Sequence, residues 1–521
     1  MPNFPICVVD FTAWRLRCPQ IACAQQPRRC HGLDGLDVSA LAADLRLMND
    51  TGVTKRIHFP VGFTRTTTSP SFIMAVALIE DWDKKDVSEV SFFIGWDGAH
   101  ERQYTALWRR LTQKCCATAG GVVLDVGANL GYYALYAARL GCRVMAWEPI
   151  PLFGAFLRAS AAINGLSHRI DVRRAVASDQ AGTSHTMLVP RNGWDVSSVG
   201  GLNQAGVSNP TWRAVRAIAE RLDDVVLGEP RVCALKLDTE GFEPAVIRGA
   251  HRLLRTSPPH VVLVEYNPGA VERRMATGHA GATAGPDVSY RDFPRMLQAL
   301  HSNGLRLWQL DEIAKHQAHP PGKPFQLRAV DARSISAELA GARHVSRVYA
   351  AGGVAIPWDV HPYSLRASFA YNTDLIGVLH SIDASHTITS VGRVGVGPNS
   401  SRALGGVACN KLSGATQRMG LCNADDATIE RAARIAEAPG SASGWHELFP
   451  TATPFSWGQA HGTGKMCWWF GGCLLPKGGR VSALLPSKVG AKAVERVVAR
   501  VRRTGERRRT LSERLSERLA G

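Results

Sequence analysis

Short apolar runs alternate with amphipathic stretches through the middle of the chain, between residues 121 and 310. This alternation predicts parallel strands joined by crossover helices. Most of the runs are continuously apolar, which is typical of a sheet covered by helices on both faces. The pattern therefore predicts an α/β fold. The predicted strands are Val122–Asp125, Arg143–Glu148, Ile170–Ala177, Val232–Asp238 and His260–Tyr266, and the predicted helices are Glu101–Cys115, Tyr132–Arg139, Leu152–Asn164, Glu243–Leu254 and Tyr290–Ser302.

Weaker patterns flank this core. We divide the chain into an irregular N-terminal extension (1–55), a folded domain (56–375) with its motif core at 121–310, a Gly/Ser/Ala-rich region of low order (376–480) and a basic helical tail (481–521). At the end of the tail, three leucines recur every four residues, which predicts an amphipathic helix. The leucines are Leu511, Leu515 and Leu519. Two further helices are predicted, at Val38–Met48 and Thr428–Glu437. Further strand-like pieces are Phe72–Ile79, Val90–Ile94, Leu305–Leu310, Phe325–Val330 and Val345–Ala350.

A glycine-rich turn follows the first core strand. The strand ends at Asp125, and Gly127 and Gly131 then lead into a helix. Glycine lets the backbone approach a bound nucleotide closely because it has no Cβ. A dinucleotide-binding loop would read G-x-G-x-x-G, but Asn129 stands where the second glycine should be. This substitution argues against a nicotinamide-dependent dehydrogenase.

Acidic residues stand at the ends of the following strands. Glu148 lies 23 residues beyond Asp125, and a carboxylate at this position can accept both hydroxyls of a ribose. Asp179 can accept from an adenine amino group, while Asp238 and Glu265 end the next two strands. Taken singly, Glu148 reads as a solvated carboxylate and Asp179 as a turn residue. Together they lie at the sheet edge where open α/β sheets bind ligands, and they predict an adenosyl cofactor.

These segments resemble the FkbM-like family of S-adenosylmethionine-dependent methyltransferases over about residues 100–310. The most characteristic element is the Lys-hydrophobic-Asp-x-Glu-Gly-x-Glu stretch. One departure is Thr239-Glu240-Gly241-Phe242, where the family more often has a small aliphatic residue before Glu and alanine after Gly. The matching text is Asp125-Val126-Gly127-Ala128-Asn129-Leu130-Gly131-Tyr132-Tyr133, Glu148-Pro149, Leu222-Asp223-Asp224, Lys236-Leu237-Asp238-Thr239-Glu240-Gly241-Phe242-Glu243 and Gly249-Ala250.

The resemblance implies a Rossmann-like methyltransferase fold, with a mostly parallel sheet of about seven strands. It also implies S-adenosyl-L-methionine as cofactor, with Glu148 at the ribose and Asp179 at the adenine. Such families mostly methylate oxygen, so we expect O-methylation of a hydroxyl on a sugar, lipid or small metabolite. Residues implied to line the methionine part of the cofactor are Asp125, Gly127, Asn129 and Gly131.

Methyl transfer to a hydroxyl benefits from a general base. Asp238, at the end of the central strand, and Glu240 just beyond it are the candidates. Two alternatives stay open. Lys236, Asp238 and Glu243 can form a structural ion network, and Asp238 with Glu265 and Asn267 can gather a hard divalent cation. Our expectation is catalysis without a metal.

The formal net charge of +17 is unevenly distributed, because the segment from Lys477 to Gly521 carries 13 Lys/Arg and 4 Asp/Glu. About half of the excess positive charge therefore belongs to the C-terminal segment and not to a basic catalytic groove, which argues against a nucleic-acid substrate. The Asn/Asp-Pro-Pro-aromatic loop expected for amino-group methylation of nucleic acids is also absent after the fourth strand. A non-catalytic binding module, whose basic tail contacts protein or RNA, is the alternative function from a different class.

The 12 cysteines contain no C-x-x-C pair. We read them as reduced thiols without a disulfide framework, and we expect an intracellular protein in the cytosol or an organelle. No apolar run reaches the ~18 residues needed to span a bilayer. The acceptor substrate and the oligomeric state are not specified by the sequence.

Overall fold

The structure is a computed structural model that describes residues 6–10, 12–49, 61–77, 88–118, 120–189, 197–199, 213–226, 228–229, 231–268, 291–310, 315, 317–350, 365, 373–391, 455–459, 466–470 and 473–476. In chain order its strands are β1 (Cys7–Asp10), β2 (Arg15–Arg17), β3 (Val61–Arg65), β4 (Ile73–Ala77), β5 (Val122–Val126), β6 (Arg143–Trp147), β7 (Ile170–Arg173), β8 (Ala175–Ala177), β9 (Ser184–Val189), β10 (Ser198–Val199), β11 (Arg213–Glu220), β12 (Val232–Leu237), β13 (Val261–Tyr266), β14 (Leu305–Gln309), β15 (Phe325–Val330), β16 (Thr373–Leu379), β17 (Ile388–Val391), β18 (Phe455–Gln459), β19 (Met466–Phe470) and β20 (Cys473–Pro476).

The α-helices alternate with these strands, and one 3-10 turn at Ser39–Leu41 precedes the third of them. They are α1 (Gln20–Gln25), α2 (Pro27–Cys30), α3 (Ala42–Asn49), α4 (Glu89–Asp97), α5 (Arg102–Cys116), α6 (Tyr132–Arg139), α7 (Pro151–Ile163), α8 (Leu222–Val225), α9 (Glu243–Gly249), α10 (His251–Thr256), α11 (Asp292–Ser302) and α12 (Ala332–Ala350).

A nine-stranded sheet in the order β17-β15-β14-β16-β13-β12-β5-β6-β7 organises the larger of two compact units. Strands β7, β6, β5, β12 and β13 are parallel, and β16 runs antiparallel between β13 and β14. The predicted Rossmann-like α/β class is confirmed. The sheet has nine strands rather than about seven, because β15 and β17 extend its edge beyond β14.

Both faces of this sheet are buried, as the continuous apolar runs predict. Alternate residues of β5 enter two separate cores: Val123 packs with α6 and α7, whereas Val122 and Leu124 pack with α9, α10 and α11. Successive side chains of a strand point to opposite faces, so a strand apolar at every position needs a cover on each side.

The chain order reverses at β5, because β6 lies on one side of it and β12 on the other. This is a topological switch point, and ligands of open α/β sheets bind at the carboxyl ends of the strands there. A smaller sheet has the strand order β10-β9-β11-β8, and its strands follow β7 in the sequence. Its first strand, β8, begins at Ala175, directly after β7 has ended at Arg173.

The N-terminal part of the larger unit forms an antiparallel sheet in the order β2-β1-β3-β4. Two side chains of α7 hold the edge strand β4. Ser160 Oγ accepts from Ala75 N at 2.9 Å, and Asn164 Oδ1 accepts from Ile73 N at 2.8 Å. These bonds satisfy backbone donors that would otherwise be buried without partners.

The smaller unit contains residues 353–359, 367–369 and 393–521. Its described part is an antiparallel meander of β18, β19 and β20. The predicted helix at Thr428–Glu437 and the leucine stripe of the tail lie outside the described residues.

Two predicted strands are wrong. Val90–Ile94 lies in α4, which Ser88 caps by accepting from Ser91 N at 3.1 Å. Val345–Ala350 lies at the end of the 19-residue α12. Both segments are short apolar runs, and periodicity alone does not separate a buried helix from a buried strand at that length. The strands predicted at Phe72–Ile79 and Phe325–Val330 are confirmed as β4 and β15.

The expectation of reduced thiols is also wrong. Eight cysteines form the disulfides Cys7–Cys18, Cys23–Cys30, Cys115–Cys233 and Cys116–Cys142. Cys115 and Cys233 are 118 residues apart in the chain and become neighbours only when the end of α5 packs beside β12. Spacing along the sequence contains no sign of such a pair.

Within the described residues, no helix combines the length and the apolar character required to cross a bilayer.

Candidate active site

A cleft opens at the switch point, where β5, β6 and β12 end. It offers about 580 Å³ of space, counted out to its open mouth. The turn after β5, the end of β6, the small sheet of β8 to β11 and the turn after β12 all contribute to it. Its lining residues are Val126, Gly127, Asn129, Trp147, Glu148, Pro149, Ile150, Phe153, Ala175, Val176, Ala177, Met187, Ser197, Val199, Asp238, Thr239, Glu240 and Phe242.

The glycine turn after β5 requires glycine for two reasons at Gly127. Its φ is +77°, and a Cβ added there would lie 1.7 Å from the carbonyl oxygen of Asp238. The turns that follow β5 and β12 therefore touch through their backbones. Asn129 also has a positive φ, +53°, which asparagine tolerates better than most residues. The absence of a side chain at Gly127 lets these two turns meet at the edge of the cleft.

Glu148 follows β6 and is 4% exposed. Its two carboxyl oxygens accept from the backbone: Oε2 from Asn129 N and Oε1 from Ile150 N, each at 2.8 Å. Burial raises the pKa of Glu148 to about 8, against the lowering effect of these two donors. The carboxyl group is therefore held in one orientation, at the rim of the turn that contains Asn129.

Lys236 and Asp238 form a close ion pair at the end of β12. Lys236 Nζ lies 2.9 Å from Asp238 Oδ2 and donates to the carbonyl oxygen of Gly127 at 3.3 Å. Burial works to lower the pKa of Lys236, but Asp238 and Asp125 outweigh it and leave the pKa above its usual value. The ammonium group stays charged and ties the two turns together, while the carboxylate of Asp238 faces the cleft.

Glu243 shapes the turn that follows Asp238. Its Oε1 accepts from Thr239 N at 2.6 Å and from Thr239 Oγ1 at 2.9 Å, and its Oε2 accepts from Gly241 N at 3.1 Å. Burial raises the pKa of Glu243 to about 7. The turn also holds Glu240 at a φ of +58°, which costs of order 1–3 kcal/mol for a residue with a side chain. Glu243 is thus a structural residue, and the strained turn presents Glu240 to the cleft.

A cluster of carboxylates lies beside this turn. Asp238, Glu243 and Glu265 each offer one oxygen within 4.8 Å of the others. Burial, reinforced by Glu240, Asp238, Glu243 and Asp374, raises the pKa of Glu265 well above its usual value. Two members already have other partners, because Lys236 pairs with Asp238 and the backbone of the turn binds Glu243. A divalent cation at this cluster would compete with Lys236 and with the backbone of the turn for the same oxygens.

Residues 125–307 match the family model for the methyltransferase FkbM domain. The match begins at the end of β5 and covers every turn that lines the cleft. This part of the chain is therefore similar to the FkbM methyltransferase domain, and for this similarity we call residues 125–307 the FkbM domain.

A curated relative and solved structures resemble the FkbM domain. The chain is 40% identical over 73 residues to the 31-O-demethyl-FK506 methyltransferase FkbM of Streptomyces tacrolimicus; the match covers 14% of this chain and 27% of that protein. A structure of methyltransferase FkbM from Methylobacillus flagellatus KT aligns over 28% of this chain and 32% of its own, with 18% identity and a TM-score of 0.19. An O-methyltransferase from Bacillus cereus in complex with SAH aligns over 54% and 82%, with 13% identity and a TM-score of 0.25.

Not all predicted cofactor residues of the FkbM domain line the cleft. Gly127, Asn129 and Glu148 do, as do the candidate bases Asp238 and Glu240. Asp125 is buried under the glycine turn, where burial raises its pKa to about 6. Gly131 begins α6 with a φ of +88° and packs against Leu157. The carboxylate of Asp179 pairs with Arg248 Nε at 2.6 Å, outside the cleft lining.

Sequence reasoning missed the apolar walls of the cleft. Trp147 Nε1 donates to Glu220 Oε2 at 3.0 Å, and Arg173 binds the same carboxylate, so the indole of Trp147 is fixed. Phe242 packs edge-on against His185, with ring centroids 5.4 Å apart. The alternating apolar positions of β9 were the available signal, but nothing in them identifies which face meets the cleft.

A buried network behind Lys236 was also missed. Glu101 Oε2 accepts from Tyr133 Oη at 2.5 Å, and Glu101 Oε1 lies 2.8 Å from Lys315 Nζ. Lys236 Nζ lies 5.6 Å from the centre of the Tyr133 ring. Burial works to raise the pKa of Glu101, but Lys315 and His100 reverse the effect and lower it. The network fixes Tyr133, which packs against Lys236 in the FkbM domain.

Proposed function

We propose that the FkbM domain is an S-adenosylmethionine-dependent O-methyltransferase that acts on a hydroxyl group of a small molecule or glycan. The observation that carries this proposal is the convergence of three turns on one cleft at the switch point. They bring together a glycine floor, an oriented carboxyl group and an acidic turn within the residues that match the family.

The residues of the cleft fit the cofactor. Gly127 and Asn129 line the cleft side by side on the turn after β5, so this part suits the methionine end. Glu148 stands where a carboxylate can accept the two ribose hydroxyls. The apolar side chains of Phe153, Met187 and Val199 offer a flat surface for the adenine ring. The role of Asp179 at the adenine amino group stays a prediction.

The chemistry needs little from the protein beyond alignment and a base. When bound, S-adenosylmethionine supplies an activated methyl group. Asp238 orients the acceptor hydroxyl and accepts its proton as the bond to oxygen forms, and Glu240 is the second candidate for this role. Lys236 keeps the Asp238 carboxylate in place through one of its oxygens, which leaves the other to face the acceptor. Correct alignment of two reactants can contribute about 7–11 kcal/mol to lowering the barrier.

The curated relative supports oxygen as the methyl acceptor, because its name describes a substrate lacking a methyl group on an oxygen. The acidic turn supports the same choice, because a hydroxyl must lose its proton during methyl transfer. The acceptor class remains broad, since the fold does not determine the substrate.

The proposal is tested by calorimetric titration of the full chain with S-adenosylmethionine, followed by transfer of labelled methyl groups to sugar, lipid and phenolic extracts. We expect saturable binding of S-adenosylmethionine. We also expect the labelled methyl group to enter a product covalently, so that an excess of unlabelled cofactor does not displace it. Pure, folded protein that shows no binding would contradict the proposal. A chelator arm examines the carboxylate cluster: we expect unchanged turnover in EDTA, and restoration of a lost activity by Mg²⁺ would show that the cluster binds a metal.

A further inference from the structure

A second cavity lies in the larger unit and shares no lining residue with the methyl-transfer cleft. It offers about 1090 Å³, counted out to its open mouth in the same way. One face of α5, the loop after β3 and the segment before β15 enclose it. We call it the Arg109 groove, and the side chains used below are Arg102, Ala106, Arg109, Arg110, Gln113 and His319.

The floor of the Arg109 groove is a stripe along α5. Arg102, Ala106, Arg109 and Gln113 follow one another at intervals of four, three and four residues, so they share one helix face. Ala106 has the shortest side chain of the four and leaves open space between the two guanidinium groups. Arg110 enters the groove from the adjacent face of the helix.

The groove carries uncompensated positive charge. Arg102 pairs with Asp97, Nε to Oδ2 at 3.4 Å, beside the groove. Arg109 is half-buried, and within the part of the chain that the structure describes no carboxylate pairs with it. No acidic side chain is among the described lining residues. An anion in the groove would therefore be attracted by Arg109, and no carboxylate of the described lining would repel it.

The segment before β15 holds Arg110 rigidly. Arg110 donates to the carbonyl oxygen of Lys323, and its guanidinium carbon lies 5.0 Å from the centre of the Phe325 ring. His319 stacks on the same ring, with centroids 3.7 Å apart. A guanidinium has five N–H donors, so Arg110 keeps several for a ligand. A pre-positioned arginine loses less side-chain entropy on binding.

Three of the nearby hydroxyl groups are occupied as donors. Thr67 donates to the carbonyl oxygen of Asp97 at 2.9 Å, and Thr68 donates to that of Pro70 at 2.8 Å. Tyr136 donates to the carbonyl oxygen of Ser69 at 2.9 Å. The donors left for a ligand include the guanidinium N–H groups of Arg109 and Arg110, the amide of Gln113 and the hydroxyl of Ser69. This set binds acceptor oxygens that carry negative charge.

We propose that the Arg109 groove binds a small molecule bearing a phosphate or sulfate group. Planar guanidinium groups match the oxygens of these tetrahedral anions in paired hydrogen bonds. A neutral sugar would leave the charge of Arg109 without a partner. The groove has about 490 Å³ of space for the centres of water-sized groups, and ligand sites commonly span ~300–1,000 Å³, so an organic group of small-molecule size has room beside the anion.

The test is calorimetric titration of the full chain at low ionic strength with inorganic phosphate, pyrophosphate, sulfate and glucose 6-phosphate, and with glucose, citrate and a short RNA for comparison. We expect saturable binding of at least one phosphate or sulfate compound and none of glucose. Arg109→Gln should weaken that binding about tenfold or more, because it removes a charge-assisted pair of hydrogen bonds. Arg255→Gln removes the same charge from an exposed site on α10 and should change it little.

Several outcomes overturn the proposal. These are the absence of saturable binding, binding of citrate alone, equal weakening by Arg109→Gln and Arg255→Gln, or binding of a short RNA without any small phosphate or sulfate compound. The comparison of the phosphate and sulfate arms identifies which anion the groove prefers. S-adenosylmethionine affinity of Arg109→Gln, measured in parallel, should equal that of the unaltered chain, so failure here is separable from failure of the proposed methyl transfer.

Discussion

Lys236 Nζ lies 2.9 Å from Asp238 Oδ2, although the two residues are only two positions apart at the end of β12. Residues i and i+2 of a strand share a face, so the pair forms on the side that meets the glycine turn. Lys236 is 8% exposed, whereas the side chain of Asp238 is 41% exposed. The pair thus joins a buried, permanently charged ammonium group to a carboxylate that reaches the cleft.

Replacement of Asp238 by asparagine is expected to lower kcat by about 10²–10⁴-fold, the usual contribution of a positioned base. The affinity for S-adenosylmethionine should change by less than about threefold, since the main contacts predicted for the cofactor lie elsewhere. Initial-rate kinetics and calorimetry on the same preparations measure the two quantities. Asp171→Asn, at an exposed carboxylate that pairs with Arg173, is the matched control. Full activity of Asp238→Asn would exclude Asp238 as the base and favour Glu240.

Glu148 should make stability depend on pH. Its pKa is about 8 in the folded chain and 4.5 in its ordinary state, so between these values the folded chain holds a proton that the unfolded chain has released. The free energy of unfolding must therefore fall as pH rises from about 4.5 to 8, by up to about 1.4 kcal/mol per pH unit for this group. Asp125 and Glu243 act with the same sign.

Glu148→Gln cannot ionise, and urea unfolding of the ligand-free protein between pH 5 and pH 8 should show a flatter decline than the unaltered chain. An identical slope in both proteins would contradict the assignment. The same variant should bind S-adenosylmethionine more weakly by about 0.5–1.5 kcal/mol, the net contribution of a hydrogen bond to an uncharged group.

Gly127→Ala should lower the stability of the chain by more than the cost of a positive φ for alanine. The added Cβ would meet the Asp238 carbonyl oxygen at 1.7 Å, so the turns after β5 and β12 must move apart. Gly182 is a matched control, because its φ of +78° is nearly the same and nothing lies within 4 Å of its Cβ position. We expect Gly182→Ala to cost about 1–2 kcal/mol of stability. Gly127→Ala should cost more and also weaken cofactor binding, measured by urea unfolding and calorimetry.

The α/β core was predictable because each of its signals is local. A continuous apolar run such as residues 261–264 specifies a doubly covered strand, and the carboxylate of Glu265 directly after it must lie at the carboxyl edge of the sheet. Gly127, Asn129, Glu148, Asp238 and Glu240 consequently lie around one cleft. Their roles toward the cofactor and the acceptor stay predictions.

The features that were missed depend on residues far apart in the chain. Glu101 and Lys315 are far apart in the sequence and are neighbours only in the folded chain. The same is true of the walls of the Arg109 groove. The helix α4 was mistaken for a strand because its residues are apolar around most of the helix. Sequence spacing carries no information on such tertiary neighbours, whereas it does report which face of a strand or helix is buried.

The disulfide Cys115–Cys233 should be the most stabilising of the four, because it closes the longest loop. In the chain-entropy model its sequence separation of 118 corresponds to about 5 kcal/mol, against about 2.4 kcal/mol for Cys23–Cys30 with a separation of 7. Urea unfolding of the two double alanine variants measures the difference.

Disulfides persist mainly in oxidising compartments. We therefore expect maleimide labelling of the unfolded, unreduced chain from its native source to modify at most four of the 12 cysteines. Labelling of all 12 without a reductant would show that the bonds are absent there and would restore the expectation of a reducing environment.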